Sequence, residues 1–225
     1  MEKASLVVLI SGSGSNLQAI IDAINNGDLH AEIKAVISNQ AAATGLQRAE
    51  KAGIPTHFVD HKLFSGRELF DQAIIRLIDH VKPDLVLLAG FMRILSPVFI
   101  KHYQQRLMNI HPSLLPKYKG LNTHRQAIEN HDKIHGASVH YVNDELDSGP
   151  IVIQAEVPVL ATDTADILAQ RVLIEEHKIY PMAIQMHIEG RLTFNNKHLQ
   201  FDNQPLLKAL IWKDNQLNNH HGKLC

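Results

Sequence analysis

The run Leu6-Val7-Val8-Leu9-Ile10 leads into the glycine loop Ser11-Gly12-Ser13-Gly14-Ser15-Asn16, and a helical period follows in Leu17, Ala19, Ile20, Ile21, Ala23 and Ile24. Unbroken apolar residues fit a strand buried on both faces, the pattern of a parallel sheet. A strand that turns through glycines into a helix aims backbone N–H groups and the positive end of a helix at one point, which suits an anion. The same grammar recurs along the chain. Apolar runs at 33–37, 56–59, 85–88 and 107–110 alternate with helical stretches at 44–52 and 69–81 and with a helix opened by the cap pair Ser96-Pro97. This alternation predicts an α/β fold, a Rossmann-like and mostly parallel sheet with helices on both faces.

Later segments change the pattern. Runs at 137–142 and 151–159, then at 192–194 and 198–201, are spaced as hairpins, so antiparallel strands are expected towards the C-terminal part. Between them an amphipathic helix begins at Asp163, and Tyr180-Pro181 is expected to break or sharply kink it. Ser65-Gly66-Arg67-Glu68 has capping-box spacing ahead of the 69–81 stretch. No repeat or low-complexity linker interrupts the chain. Residues 1–202 are therefore expected to form one domain, and 203–225 a polar, partly disordered tail.

Charge and cysteine usage narrow the function classes. With 22 basic and 23 acidic side chains the formal net charge is -1, so neither nucleic acid nor an anionic membrane is an expected partner. The single cysteine, Cys225, allows no intrachain disulfide. No leader-like segment and no membrane-length apolar stretch occurs, and a cytoplasmic location is expected. The 15 histidines fall in no zinc-ligand spacing, so most are expected at the surface and no metal is expected.

Ligands of open α/β sheets bind beyond the carboxyl ends of the strands, near a switch in strand order. Three segments are predicted there. The first is the glycine loop, which fits a dinucleotide poorly: Leu17 replaces the last glycine of the fingerprint, and the next strand ends in Ser38-Asn39 without a ribose-binding acid. A phosphate monoester suits it better. The second, Ala89-Gly90-Phe91-Met92-Arg93-Ile94-Leu95, is unusually apolar for a connection; it is either loop core or the wall of a pocket for a flat ligand. The third is Asn109-Ile110-His111-Pro112, where alternation puts an amide and an imidazole on one face of a strand that the proline stops. Such a pair handles a proton and binds a developing oxyanion. Of the carboxylates in the loop at 143–150, Asp147 is held nearest to the constraining Gly149-Pro150.

These segments together resemble the folate-dependent formyl transferases and hydrolases, from about residue 5 to residue 194. Asn109-Ile110-His111-Pro112-Ser113 with Leu146-Asp147-Ser148-Gly149-Pro150 marks the reaction class, and Ser11-Gly12-Ser13-Gly14-Ser15-Asn16 points to the branch that formylates glycinamide ribonucleotide. Lys119 and Asn122 stand where bacterial relatives carry Pro and His. The resemblance implies formyl transfer from 10-formyltetrahydrofolate, as co-substrate, to an amine, with no metal. It implies that Gly14, Ser15 and Asn16 hold a ribose phosphate, with Glu176 near the sugar. It implies that Met92, Arg93, Ile94 and Leu95 line a pterin slot with Asn109 alongside, that Arg67 meets the benzoyl-glutamate, and that Asn109, His111 and Asp147 are catalytic. Asp147 would orient His111 and favour its charged form. The partners implied are small molecules, and the protein a monomer or homodimer. The related hydrolase usually has an N-terminal regulatory domain and the tRNA-directed transferase a C-terminal RNA-binding domain, neither of which is expected here. A non-catalytic nucleotide-binding module and a Rossmann oxidoreductase are the rivals from other classes.

Overall fold

The computed structural model describes residues 2–218, and the chain divides into two compact units. One runs through Asn109 and takes in Val142–Asp144; the other holds Ile110–Tyr141 and the chain from Glu145 onward.

The first unit is the expected β-α alternation. Its elements are β1 (Ala4–Ile10), α1 (Ser15–Asn26), β2 (Ala31–Ser38), α2 (Thr44–Lys51), β3 (Thr56–Phe58), α3 (Arg67–Val81), β4 (Leu85–Leu88), α4 (Pro97–His102) and β5 (Leu107–His111), whose last two residues fall in the second unit. All its strand pairs are parallel, in the order β5-β4-β1-β2-β3. Strand order reverses at β1, flanked by β2 and β4, so the switch point lies beyond Ile10 and Leu88. Leu6 to Ile10 are all 0% exposed, which explains why β1 reads as a solid apolar run. Phe70, Ile74 and Ile78 of α3 join Val7, Leu9, Val86 and Phe99 in the core.

Local signals decide the helix ends. Gly27, at φ 83°, closes α1 by donating its N–H back to Ala23 and Ile24 carbonyls. The Ser96 hydroxyl accepts from the Phe99 N–H at 3.4 Å, with Pro97 at the first helical position. The capping box expected at Ser65 does not form. Gly66 is the N-cap of α3, so Glu68 falls at the second helical position, one short of the reach the box needs.

The second unit contains α5 (Thr123–Glu129), β6 (Ile134–Tyr141), β7 (Ile151–Pro158), α6 (Ala165–Ile188), β8 (Leu192–Asn195), β9 (His198–Phe201), β10 (Gln204–Pro205), β11 (Leu210–Lys213) and β12 (Gln216–Asn218). β6 and β7 pair antiparallel, as do β8 and β9. Asn196 and Lys197 join the latter pair with φ of 48° and 74°, the left-handed backbone a two-residue hairpin turn requires.

Two expectations are corrected here. α6 continues through Pro181 as one helix of 24 residues. Leu168, Val172, Ile179, Tyr180, Ala183 and Ile184 are all 0% exposed, and their burial outweighs the roughly 3 kcal/mol cost of an internal proline. The segment after Asp202 is not an irregular tail through Asn218: β11 joins β7 in parallel and pairs antiparallel with β12, and Leu210 is buried. Strands of three or four residues with mixed side chains carry too little period to be read in advance. The fraying expected for 218–225 falls, beyond Asn218, outside the described residues.

Candidate active site

At the switch point of the first unit, the glycine loop closes directly on the start of α1. Gly14 is the N-cap in left-handed backbone, φ 68°, and supplies no capping side chain, so the N–H groups of the first helical turn meet no cap from it. The loop is tied to its neighbours. Ser11 N–H donates to the Gly90 carbonyl at 3.0 Å, and the Ser11 hydroxyl receives the Met92 N–H at 2.8 Å. The same hydroxyl donates to Asn39 Oδ1 at 2.5 Å, and Asn39 is 3% exposed. The position where a dinucleotide fold keeps its ribose-binding acid is thus a buried amide bound to the loop.

The apolar connection after β4 is core in part. Phe91 and Leu95 are core, whereas Met92 and Ile94 are exposed, 69% and 62%. Arg93 lays its guanidinium 5.2 Å from the centre of the Phe70 ring. The segment is anchored at its end by Asp71 of α3, a buried carboxylate that accepts the Ser96 N–H at 2.5 Å. Burial raises the Asp71 carboxyl above its ordinary range, against the Ser96 hydrogen bonds and the charges of Arg67 and Arg93, which lower it. Arg67 itself opens α3 and is exposed.

β5 carries half-buried Asn109 and, two residues on, buried His111 at 4% exposure. In the second unit His111 Nε2–H donates to the Tyr118 carbonyl at 2.9 Å, and Nδ1 faces Asp147 Oδ2 at 3.5 Å. Asp147 sits in left-handed backbone, φ 45°, and its Oδ2 also accepts the Gly120 N–H at 2.9 Å. On its other side, His140 places Nε2 3.7 Å from Asp147 Oδ1 while Nδ1–H donates to the Tyr141 carbonyl at 2.9 Å. Burial holds the His140 imidazole below its usual range, against the Tyr141 hydrogen bond and the Asp147 charge, which raise it. Lys119 hydrogen-bonds Ser148, which adds a second tie between the 118–120 turn and the Asp147 loop. Glu176 is buried on α6, 7% exposed.

The expected pair of His111 and Asp147 is thus brought together, and the expectation that most histidines lie on the surface is corrected. Of the described histidines, His111, His135 and His140 are buried and five others half-buried. His135 also meets His124, Nε2 to Nδ1 at 3.1 Å. The reason is the strand: residues 135–141 are buried throughout, so β6 has no solvent face on which a histidine could lie. Among the described residues no group of three or more His, Cys, Asp or Glu is placed to hold a metal ion, and no helix is long and apolar enough to cross a membrane.

Comparison with known proteins shows what the chain is similar to. Residues 4–184 match the formyl transferase family model. The chain is 54% identical over 202 residues to the phosphoribosylglycinamide formyltransferase of Escherichia coli (strain K12), covering 90% of this chain and 95% of that one. It is 48% identical over 189 residues to the human trifunctional purine biosynthetic protein adenosine-3, covering 84% of this chain and 19% of that longer protein. The structure of the Coxiella burnetii phosphoribosylglycinamide formyltransferase in complex with CHES matches with a TM-score of 0.88 at 49% identity, over 92% of this chain and 99% of that one.

Proposed function

Because the chain belongs to the formyl transferase family, we propose that it transfers the formyl group of 10-formyltetrahydrofolate to the amine of glycinamide ribonucleotide, a step of purine biosynthesis. The observation that carries the chemistry is His111 facing Asp147 at the end of β5. The substrates are two small molecules, and the reaction takes place in the cytoplasm.

The glycinamide nitrogen attacks the formyl carbon, a C–N bond forms, and the carbonyl π pair moves onto oxygen. That oxygen needs donors, and Asn109 and His111 supply an amide N–H and a ring N–H. The ring is held with one nitrogen on the Tyr118 carbonyl and the other towards the Asp147 carboxylate, which fixes its orientation. In this arrangement the formyl oxygen competes with the Tyr118 carbonyl for the Nε2 proton. Collapse of the intermediate breaks the bond from the formyl carbon to the folate nitrogen. The proton lost by the attacking amine passes to that leaving nitrogen by way of His111 or a bound water, with Asp147 holding the ring.

For the ribonucleotide, Gly14, Ser15 and Asn16 receive the ribose phosphate at the start of α1 and Glu176 meets the sugar and glycinamide end. Met92, Arg93, Ile94 and Leu95, with Asn109, form the folate side, and Arg67 meets its glutamate. The exposure of Met92 and Ile94 supports this, since a flat ring covers apolar surface that is otherwise solvated. Steady-state turnover tests the assignment. His111→Ala and Asp147→Ala each lower kcat by about two orders of magnitude or more. Near-normal turnover in either removes that residue from the mechanism.

A further inference from the structure

Two glycines cross beneath the anion loop. A Cβ on Gly14 would lie 2.5 Å from the Gly45 Cα, and a Cβ on Gly45 would lie 2.5 Å from Ile10 Cδ1 and 3.0 Å from the Gly14 Cα. This backbone-on-backbone approach brings the first turn of α2 against the loop, and only residues without side chains permit it. Hydrogen bonds then fasten the two. Gly45 N–H donates to the Gly12 carbonyl at 3.1 Å, and the Thr44 hydroxyl reaches the Ser13 carbonyl at 3.4 Å. The strongest tie is Arg48, whose Nε–H donates to that same Ser13 carbonyl at 2.8 Å while Nη1 reaches Gln18 Oε1 at 3.3 Å. One half-buried guanidinium therefore spans the loop and the first turn of α1, holding the carbonyl side of the loop towards α2.

We propose that α2 is the second half of the phosphate site and that Arg48 is its positioning residue. Through Ser13 and Gln18 it fixes the loop in the form that receives a phosphomonoester, and its charge adds to the field of the loop amides. The inference rests on the reading of Gly14 to Asn16 as the phosphate loop. An arginine is suited to the task because its planar fork addresses two acceptors in fixed directions, which a lysine ammonium does not. The effect falls chiefly on one substrate: Arg48 bonds Ser13 and Gln18, whereas the loop's ties to the folate segment run through Ser11.

The test separates the two substrates. In Arg48→Met, KM for glycinamide ribonucleotide and the inhibition constant of ribose 5-phosphate both rise by about tenfold or more, kcat stays within about twofold, and KM for the formyl folate is unchanged. Arg48→Lys, which keeps the charge, shows a smaller rise of about three- to fivefold. Gly45→Ala, which pushes α2 off the loop, reproduces the same ribonucleotide-selective signature. Unchanged ribose 5-phosphate affinity in Arg48→Met overturns the proposal. So does an equal rise of both KM values, or Arg48→Lys indistinguishable from wild type. If wild type itself neither binds ribose 5-phosphate nor turns over the ribonucleotide, the phosphate-loop reading has failed and the proposal falls with it. A normal wild type with a normal Arg48→Met defeats the Arg48 assignment alone.

Discussion

His111 lies between two acceptors, and the residues behind it decide how firmly it is held. Asp147 is fixed by the Gly120 N–H at 2.9 Å and flanked by His140, so the carboxylate that faces the ring has little freedom of its own. Replacing His140 by Ala loosens Asp147, and kcat should fall by about tenfold while both KM values hold, a smaller loss than for Asp147→Ala. An unchanged kcat would make His140 a packing residue only. His135 gives a pH prediction. Burial, helped by the neighbouring His124, pushes its imidazole down from 6.5 to about 4. The unfolded chain takes up this proton near 6.5 and the folded chain only near 4, so the contribution to stability is full above pH 6.5 and is lost as the pH falls towards 4. Thermal melts across that window should show a steeper fall of Tm in wild type than in His135→Gln; parallel curves would contradict the assignment. At this scale the sequence was most legible where spacing carries geometry. Asn109 and His111 announce themselves by alternation before a proline, and Asp147 by the Gly-Pro beside it. Arg48 and His140 gave no such sign. Each acts on a residue distant in the chain or across a loop, Arg48 on Ser13 and His140 on Asp147, and spacing does not encode that.

Elements were legible in proportion to the length of their period. β1, α1 and α3 could be read from apolar pattern alone, whereas β10, β11 and β12 are too short to show one. Pro181 misled because tertiary burial overrides local propensity, and α6 has buried residues on both sides of it. Pro181→Ala restores a backbone N–H within the helix and should raise stability by about 1–3 kcal/mol in urea unfolding, less whatever the looser unfolded chain regains. A loss of stability would show that the ring is required for packing. The β6–β7 hairpin contains a stricter constraint. A Cβ on Gly136 would stand 1.8 Å from the Ala155 carbonyl oxygen and 2.9 Å from Leu114 Cδ2, with backbone on the nearer side and no room to yield. Gly136→Ala should cost several kcal/mol, on the order of 3 or more, or prevent soluble expression; a variant as stable as wild type would mean the strands pair differently.

For the whole molecule, the first unit places strand reversal at β1 and so gathers the glycine loop and the 89–95 segment at one switch point, as the β-α alternation predicted. We propose that residues 1–202 unfold as one cooperative domain, with β11 covering the edge of β7 and β12 pairing with β11. Trp212 on β11 donates its indole N–H to Glu175 at 2.9 Å and reports on the second unit. Its fluorescence and far-UV circular dichroism should give coincident urea transitions, and two separated transitions would contradict that. The reaction is defined by where one carbon atom goes. With an isotopically labelled formyl carbon on 10-formyltetrahydrofolate, incubation with glycinamide ribonucleotide should place the label on the glycinamide nitrogen, with no label released when the ribonucleotide is left out. Label recovered as free formate whether or not the ribonucleotide is present would contradict the account.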